Sequence, residues 1–84
     1  MKKFKSPQLY LLAKDEILGY IHENSLKIGA LLPAESHFVS QLGISRGTLR
    51  EAMRVLEEEG VIRRKQGIGT LICDTKNLIR STLD

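Results

Sequence analysis

The chain has 84 residues, of which 42% are hydrophobic, and its 13 Lys and Arg residues outnumber 10 Asp and Glu residues to leave a net charge of +3. This length allows one small domain with a modest core and little room for an enclosed catalytic cavity. The composition excludes a disordered chain, and no apolar run approaches the ~20 residues that a membrane span needs. The single cysteine, Cys73, excludes an internal disulfide, so we expect a cytoplasmic protein with no membrane partner.

The first predicted helix begins at Pro7. Ser6 is suited to be its N-cap, and proline is favoured at the first helical position because its missing N–H would be unpaired there anyway. Apolar residues then recur every four positions, which predicts one buried face and a helix end near Glu23 or Asn24. That face comprises Leu9, Ala13, Ile17 and Ile21, with Leu12 and Tyr20 beside it.

The stretch "PAESHFVSQLGIS" predicts a second helix and a sharp corner after it. Pro33 opens this helix, and the preceding "ALL" (30–32) is interpreted as a short strand. Gly43 ends the helix, Ile44 fills the corner, and Ser45 caps the next helix. The inner face of the second helix is predicted to hold Phe38, Val39 and Leu42.

The third helix is predicted from Arg46 to about Glu59, with Gly60 as its stop. Two short helices joined by a three-residue turn that contains glycine are typical of a helix-turn-helix. The apolar stripe of the third helix comprises Leu49, Ala52, Met53 and Leu56.

A β-hairpin is predicted after the third helix, because "VIRRKQ" and "TLIC" flank "GIG" over residues 61–73, which we call the wing. Three helices followed by a hairpin indicate a mostly α fold, a winged helix-turn-helix, in one domain over residues 1–74. We interpret residues 75–84 as a linker or as the start of a C-terminal effector domain that this chain does not include.

The third helix has its charges at the wrong ends. Arg46 and Arg50 lie four residues apart in its first turns, where like charges repel each other and the helix dipole disfavours cations. Acidic residues occupy the other end at 57–59, which is equally unfavourable. Charges that oppose these helix preferences, with no stabilising contact in return, indicate a functional site. A polyanion such as DNA would satisfy both arginines.

Other residues near these arginines have a structural interpretation beside the functional one. Arg54 lies at pairing distance from three glutamates, which favours a structural ion pair over a DNA contact. Ser45 is first of all a helix cap, and Thr48 is either a donor to DNA or a plain surface residue. Gly47 weakens the helix and permits close approach to a groove. His37 is either a polar residue that faces DNA or an ordinary surface histidine.

The basic stretch "RRKQGIGT" (63–70) has two interpretations. It is either a hairpin whose charged edges prevent aggregation or a wing that contacts the DNA backbone, with Gly67 or Gly69 entering the minor groove. A nucleotide-binding loop is not expected, because "GIGT" lacks the Lys-Ser/Thr and the helix that follow a P-loop. The two histidines and Cys73 have no zinc-ligand spacing, and no nucleophile and base are paired, so we expect neither an enzyme nor a cofactor.

The residues from "LLPAE" to "QGIGT" resemble the DNA-binding domain of the gluconate-repressor (GntR) family of bacterial transcription regulators. The resemblance covers roughly residues 10–73 and is carried by "LPAE", "ISRGTLREA", "LEEEGVI" and "QGIGT" in that order. It implies a winged helix, a homodimer on a pseudo-palindromic double-stranded DNA operator, and a small-molecule effector bound by a separate C-terminal domain. The family usually has arginine where this chain has Ser36, so the grip on DNA is expected to differ there.

By this resemblance, Arg46 and Arg50 match the arginines of the recognition helix, Thr48 matches its contacting hydroxyl, and Gln66 and Gly67 match the wing tip. The expected DNA-binding residues are Ser45, Arg46, Gly47, Thr48, Arg50, Arg64, Lys65, Gln66 and Gly67. A second group that is expected close to the DNA comprises Glu35, Ser36, His37, Arg54 and Gly69.

The sequence therefore predicts a sequence-specific DNA-binding module of a transcription regulator. Its recognition helix (46–59) would enter the major groove, and its wing (61–73) would lie against the minor groove or backbone. The alternative is a winged-helix module that uses its basic face to bind an acidic protein partner. The operator sequence, the effector, and the choice between repression and activation are left open.

Overall fold

A computed structural model describes residues 7–75, which form three helices and a two-stranded antiparallel hairpin. In chain order the elements are α1 (Pro7–Glu23), α2 (Glu35–Leu42), α3 (Arg46–Glu58), β1 (Ile62–Lys65) and β2 (Gly69–Ile72). This order confirms the predicted winged helix-turn-helix. Two predictions lie outside the described residues. They are the N-cap at Ser6 and the linker or further domain, of which residues 76–84 are not described.

Helix α1 has the predicted bounds but buries only the later part of its apolar face. Ala13, Ile17 and Ile21 are buried, and so is Leu18, which the four-residue periodicity did not include. Leu12 is 60% exposed, and Leu9 on the same predicted face is 44% exposed. The periodicity identifies a face, but the length of the partner decides how much of it is covered, and α3 has 13 residues against 17 in α1.

Helix α2 begins at Glu35, two residues later than the predicted start at Pro33. Ala34 is its N-cap and has an extended backbone, with ψ at 159°, so the helix cannot include the proline before it. The predicted inner face is confirmed, since Phe38 is buried while Val39 and Leu42 pack partly buried against the core.

The corner between α2 and α3 follows the predicted chemistry. Gly43 takes a left-handed conformation, with φ at 66°, and its N–H donates to the Val39 carbonyl. Ile44 packs against the core. The Ser45 side chain caps α3 by accepting a hydrogen bond from the Thr48 N–H at 3.1 Å.

Because Ser45 is an N-cap, we expect Ser45→Ala to lower the free energy of unfolding by about 0.5–2 kcal/mol. The matched control is Ser40→Ala, since Ser40 is exposed inside α2 and alanine favours a helix interior. Urea denaturation of both variants measures the difference. Equal stability of the two variants would show that the cap contributes nothing.

Helix α3 is the centre of the core. Its predicted stripe of Leu49, Ala52, Met53 and Leu56 is at most 1% exposed. Against it pack the buried residues of α1 and the hairpin residues Val61, Ile62 and Ile72. The helix ends at Glu58, with Glu59 as its C-cap and Gly60 at a positive φ of 81°, close to the predicted end. Its apolar face is therefore held on several sides, while the opposite face is exposed.

The wing is a hairpin in which Ile62 pairs with Ile72 and Lys65 pairs with Gly69. Its turn lies at 66–68, one residue earlier than "GIG", because the Ile68 N–H donates to the Lys65 carbonyl at 3.0 Å. The strand predicted at 30–32 is reduced to one bridge between Leu31 and Leu71. This bridge attaches the α1–α2 connector to the outer edge of the wing.

Candidate nucleic-acid interface

The N-terminal turn of α3 presents the first group of predicted DNA-binding residues. Ser45, Arg46 and Gly47 are exposed, and Thr48 is half-buried. The Arg46 side chain makes no hydrogen bond or ion pair with any residue in the described range 7–75. The Thr48 hydroxyl accepts a hydrogen bond from the Ser45 hydroxyl at 3.0 Å and keeps its own proton to donate outward. This turn therefore offers unused donors at the positive end of the helix.

Arg50 has an internal partner that sequence reasoning missed. Its Nε lies 3.4 Å from Oε1 of Glu35, the first residue of α2, and Nη2 of Arg64 lies 3.7 Å from the other carboxylate oxygen. The interpretation that both helix arginines break the local rules without an internal gain is thus wrong for Arg50 and stands for Arg46. Glu35 is 15 residues away from Arg50 along the chain, so helix periodicity carried no signal for the contact.

The acidic end of α3 is explained by contacts within the fold. Glu57 accepts a hydrogen bond from the Arg64 backbone N–H at 3.2 Å, which ties the helix to the first strand of the wing. Glu59 pairs with Lys14 of α1 at 2.9 Å, and Glu58 pairs with Arg54. Each acid therefore has a partner that offsets its unfavourable place at a helix C-terminus.

Arg54 is held by two glutamates of its own helix. Its Nη2 lies 2.7 Å from Glu51, and its Nη1 lies 2.6 Å from Glu58. The hydrogen bond that Arg54 donates to the Glu51 carboxylate, followed by the negative charges of Glu51 and Glu58, raises the pKa of the Arg54 guanidinium. The predicted structural ion pair is confirmed, except that Glu57 contacts the wing instead.

The wing tip is exposed from Arg64 to Gly69. Gly67, in the turn, has a φ of 81°, a conformation that suits glycine. Gly69 has a φ of 127°, and a Cβ there would lie 3.4 Å from the Leu31 side chain. Packing against the connector therefore explains why glycine stands at position 69. Lys65 and Gln66 have exposed side chains at the tip.

Two further residues of α2 were expected near DNA. Ser36 is exposed. His37 is also exposed, and its ring packs edge-on against Tyr20 at 5.8 Å and Phe38 at 5.2 Å between ring centroids. These aromatic contacts favour the interpretation of His37 as an ordinary surface histidine.

Within residues 7–75, no group of three or more His, Cys, Asp or Glu side chains is arranged to hold a metal ion. No helix in the same range is both long and apolar enough to cross a membrane.

Comparison with known proteins shows which family the chain matches. The family described as "Bacterial regulatory proteins, gntR family" matches residues 9–72. The chain belongs to the gntR family. This gntR-family chain is 38% identical over 68 residues to the histidine utilization repressor of Pseudomonas aeruginosa, covering 81% of the chain and 27% of that relative. It is 39% identical over 64 residues to the HTH-type transcriptional regulator GgaR of Escherichia coli, covering 76% of the chain and 26% of the relative.

The chain thus spans about a quarter of the length of these two relatives. A crystal structure of AraR(DBD) in complex with operator ORR3 has a similar fold, with a TM-score of 0.71 and 30% identity over 87% of both chains. The described residues of this gntR-family chain form the DNA-binding domain, and the predicted family and fold are both confirmed.

Proposed function

We propose that this domain reads DNA by placing α3 in the major groove and the wing (61–73) against the minor groove or backbone. The observation that carries the proposal is the Glu35 carboxylate, which lies within 4 Å of both Arg50 on α3 and Arg64 on the wing. The two basic elements therefore meet at one exposed surface. DNA presents phosphates and base edges over such a surface, whereas an enzyme would need an enclosed cleft.

Arg46 and Arg50 supply the chemistry on α3. A guanidinium can donate two hydrogen bonds to guanine O6 and N7 or grip a phosphate. Ser45 caps α3, Gly47 lets the backbone come close to a groove, and the Thr48 hydroxyl donates to a phosphate or a base edge. On the wing, Arg64, Lys65, Gln66 and Gly67 would follow the phosphate backbone. The relatives that the chain matches are a repressor and a transcriptional regulator, and we propose no enzymatic role for this chain.

A DNA partner fits better than an acidic protein partner, because the AraR(DBD) structure with a similar fold holds operator DNA. We further propose that two copies bind a pseudo-palindromic operator in the cytoplasm, with half-sites about one helical turn apart. A small-molecule effector would bind a domain outside this chain. The longer relatives support this division, since the match covers 27% of one and 26% of the other.

The test is a selection of duplexes from a random-sequence library, followed by binding at several salt concentrations. We expect one enriched motif, tighter binding to the selected duplex than to a scrambled duplex of equal composition, and a log–log salt slope of about −0.9 per phosphate neutralised. Equal affinity for both duplexes would contradict sequence-specific binding. Binding to polyglutamate as tight as to the selected duplex would favour the acidic partner.

The wing is expected to add affinity more than specificity. Lys65 is exposed beside the turn, so Lys65→Gln should weaken binding to the selected and scrambled duplexes alike by about two- to tenfold and make the salt slope about 0.9 shallower. The matched control is Lys27→Gln, which removes the same charge away from the wing tip. Lys27 lies near the base of the wing, where the Gly29 N–H donates a hydrogen bond to the Ile72 carbonyl. A Lys65 variant that behaves like the Lys27 variant would make the wing a purely structural hairpin.

A further inference from the structure

We propose that Glu35 is a specificity-determining residue, a carboxylate that keeps Arg50 away from the phosphates of non-operator DNA. This inference rests on the proposed function, because it concerns how the same surface separates operator from other sequences. The inference is based on one observation. In the described part of the chain, Glu35 is the one acidic side chain that contacts an arginine of the recognition helix and an arginine of the wing.

The geometry leaves the reading end of Arg50 open. Glu35 approaches Arg50 through Nε, at 3.4 Å, and the two terminal nitrogens of the guanidinium make no hydrogen bond with any residue in 7–75. A guanidinium carries five N–H donors in a rigid fork, and its terminal nitrogens can donate to guanine while Nε stays with the carboxylate. Operator binding and the Glu35 contact are therefore compatible.

The acid is the fixed member of this trio. The Glu35 side chain is 24% exposed, while the side chains of Arg50 and Arg64 are 60% and 41% exposed. Glu35 also lies in the first turn of α2, whose N-cap Ala34 makes no side-chain cap bond, so the carboxylate is favoured there by the helix dipole. The arginines consequently adjust to Glu35, and DNA meets them in a position that the acid has set.

Non-operator DNA meets this arrangement differently. Without matching bases, Arg50 can gain only phosphate contacts. A phosphate that draws the Arg50 guanidinium away from Glu35 also lies near the carboxylate that it leaves uncompensated, and like charges repel. Glu35 thus weakens phosphate-only binding, while operator binding keeps its contact with Arg50. Such discrimination comes from a repulsive element and not from an added attraction.

The experiment measures binding of Glu35→Gln to the selected duplex and to the scrambled duplex. We expect affinity for the scrambled duplex to rise by about three- to tenfold, with a salt slope steeper by about 1 to 2, while affinity for the selected duplex changes less than about twofold. Specificity therefore falls. Glu35→Asp keeps the charge and the helix-dipole contact but shortens the side chain, and we expect it to lose specificity in the same direction.

The control is Glu23→Gln, which removes one negative charge at the end of α1, where Glu23 has no ion pair with any residue in 7–75. An equal gain on both duplexes in Glu35→Gln, or the same gain in Glu23→Gln, would overturn the inference and leave Glu35 as a general charge. An unchanged ratio in Glu35→Asp and Glu35→Gln would overturn it as well. A wild-type chain with no preference for the selected duplex would overturn the proposed function along with it. Thermal melting of each variant checks the fold. If Glu35→Gln is unfolded, the binding ratio of Glu35→Asp is the test.

Discussion

Arg46→Ala is expected to weaken binding to the selected duplex by about ten- to a hundredfold while the melting temperature stays unchanged or rises slightly. Arg46 is exposed at the N-terminus of α3, and its side chain has no hydrogen-bond or ion-pair partner within residues 7–75, so its removal breaks no polar contact of the described fold. It also ends the repulsion from Arg50. Fluorescence anisotropy with labelled duplexes measures the affinity, and circular dichroism follows the melting.

The matched control for this result is Arg54→Ala, which removes the same charge from the same helix. Arg54 is already bound by Glu51 and Glu58 on the exposed face of the helix, so its loss should change operator binding much less and stability only slightly. If Arg46→Ala lowers stability but binds the selected duplex normally, Arg46 is structural and the proposed role of α3 is wrong.

Leu49→Ala is expected to have the largest effect on stability, a loss of about 2–5 kcal/mol. Leu49 is fully buried on the core face of α3, and small domains have a total stability of only about 5–15 kcal/mol. DNA binding should be lost in parallel, because α3 can present its arginines only while this face is packed. Urea denaturation, with binding measured on the same sample, tests both expectations.

The same substitution at Leu12 is the control, since Leu12 is 60% exposed on α1. We expect Leu12→Ala to change stability by less than about 0.5 kcal/mol and to leave DNA binding intact. Equal losses in the two variants would contradict the assignment of the core to the α3 face and would place part of it at the start of α1.

Much of the fold was predictable because the signals are local. The three- and four-residue spacing of apolar residues predicted the buried stripe of α3, Gly43 and Ser45 predicted the corner, and the glycines predicted the hairpin. Each signal depends on residues within one or two turns of chain, where backbone preference and burial act directly. The start of α2 was misplaced by two residues, because a proline that suits the first helical position also suits the extended residues before a helix.

The candidate site divides in the same way. The order of residues along α3 was enough to separate Arg46 and Arg50 from the core face and to pair Arg54 with acids of its own helix. Only the tertiary structure brought Glu35 to Arg50 and Arg64, and only it gave Glu57 a partner in the wing and Glu59 a partner in α1. Contacts between different elements depend on how helices cross and where the hairpin folds back, which periodicity within one element does not contain. The unfavourable charges of α3 therefore have two origins. The proposed DNA contact explains Arg46, whereas contacts within the fold give Arg50 and the acids at the other end of α3 their partners.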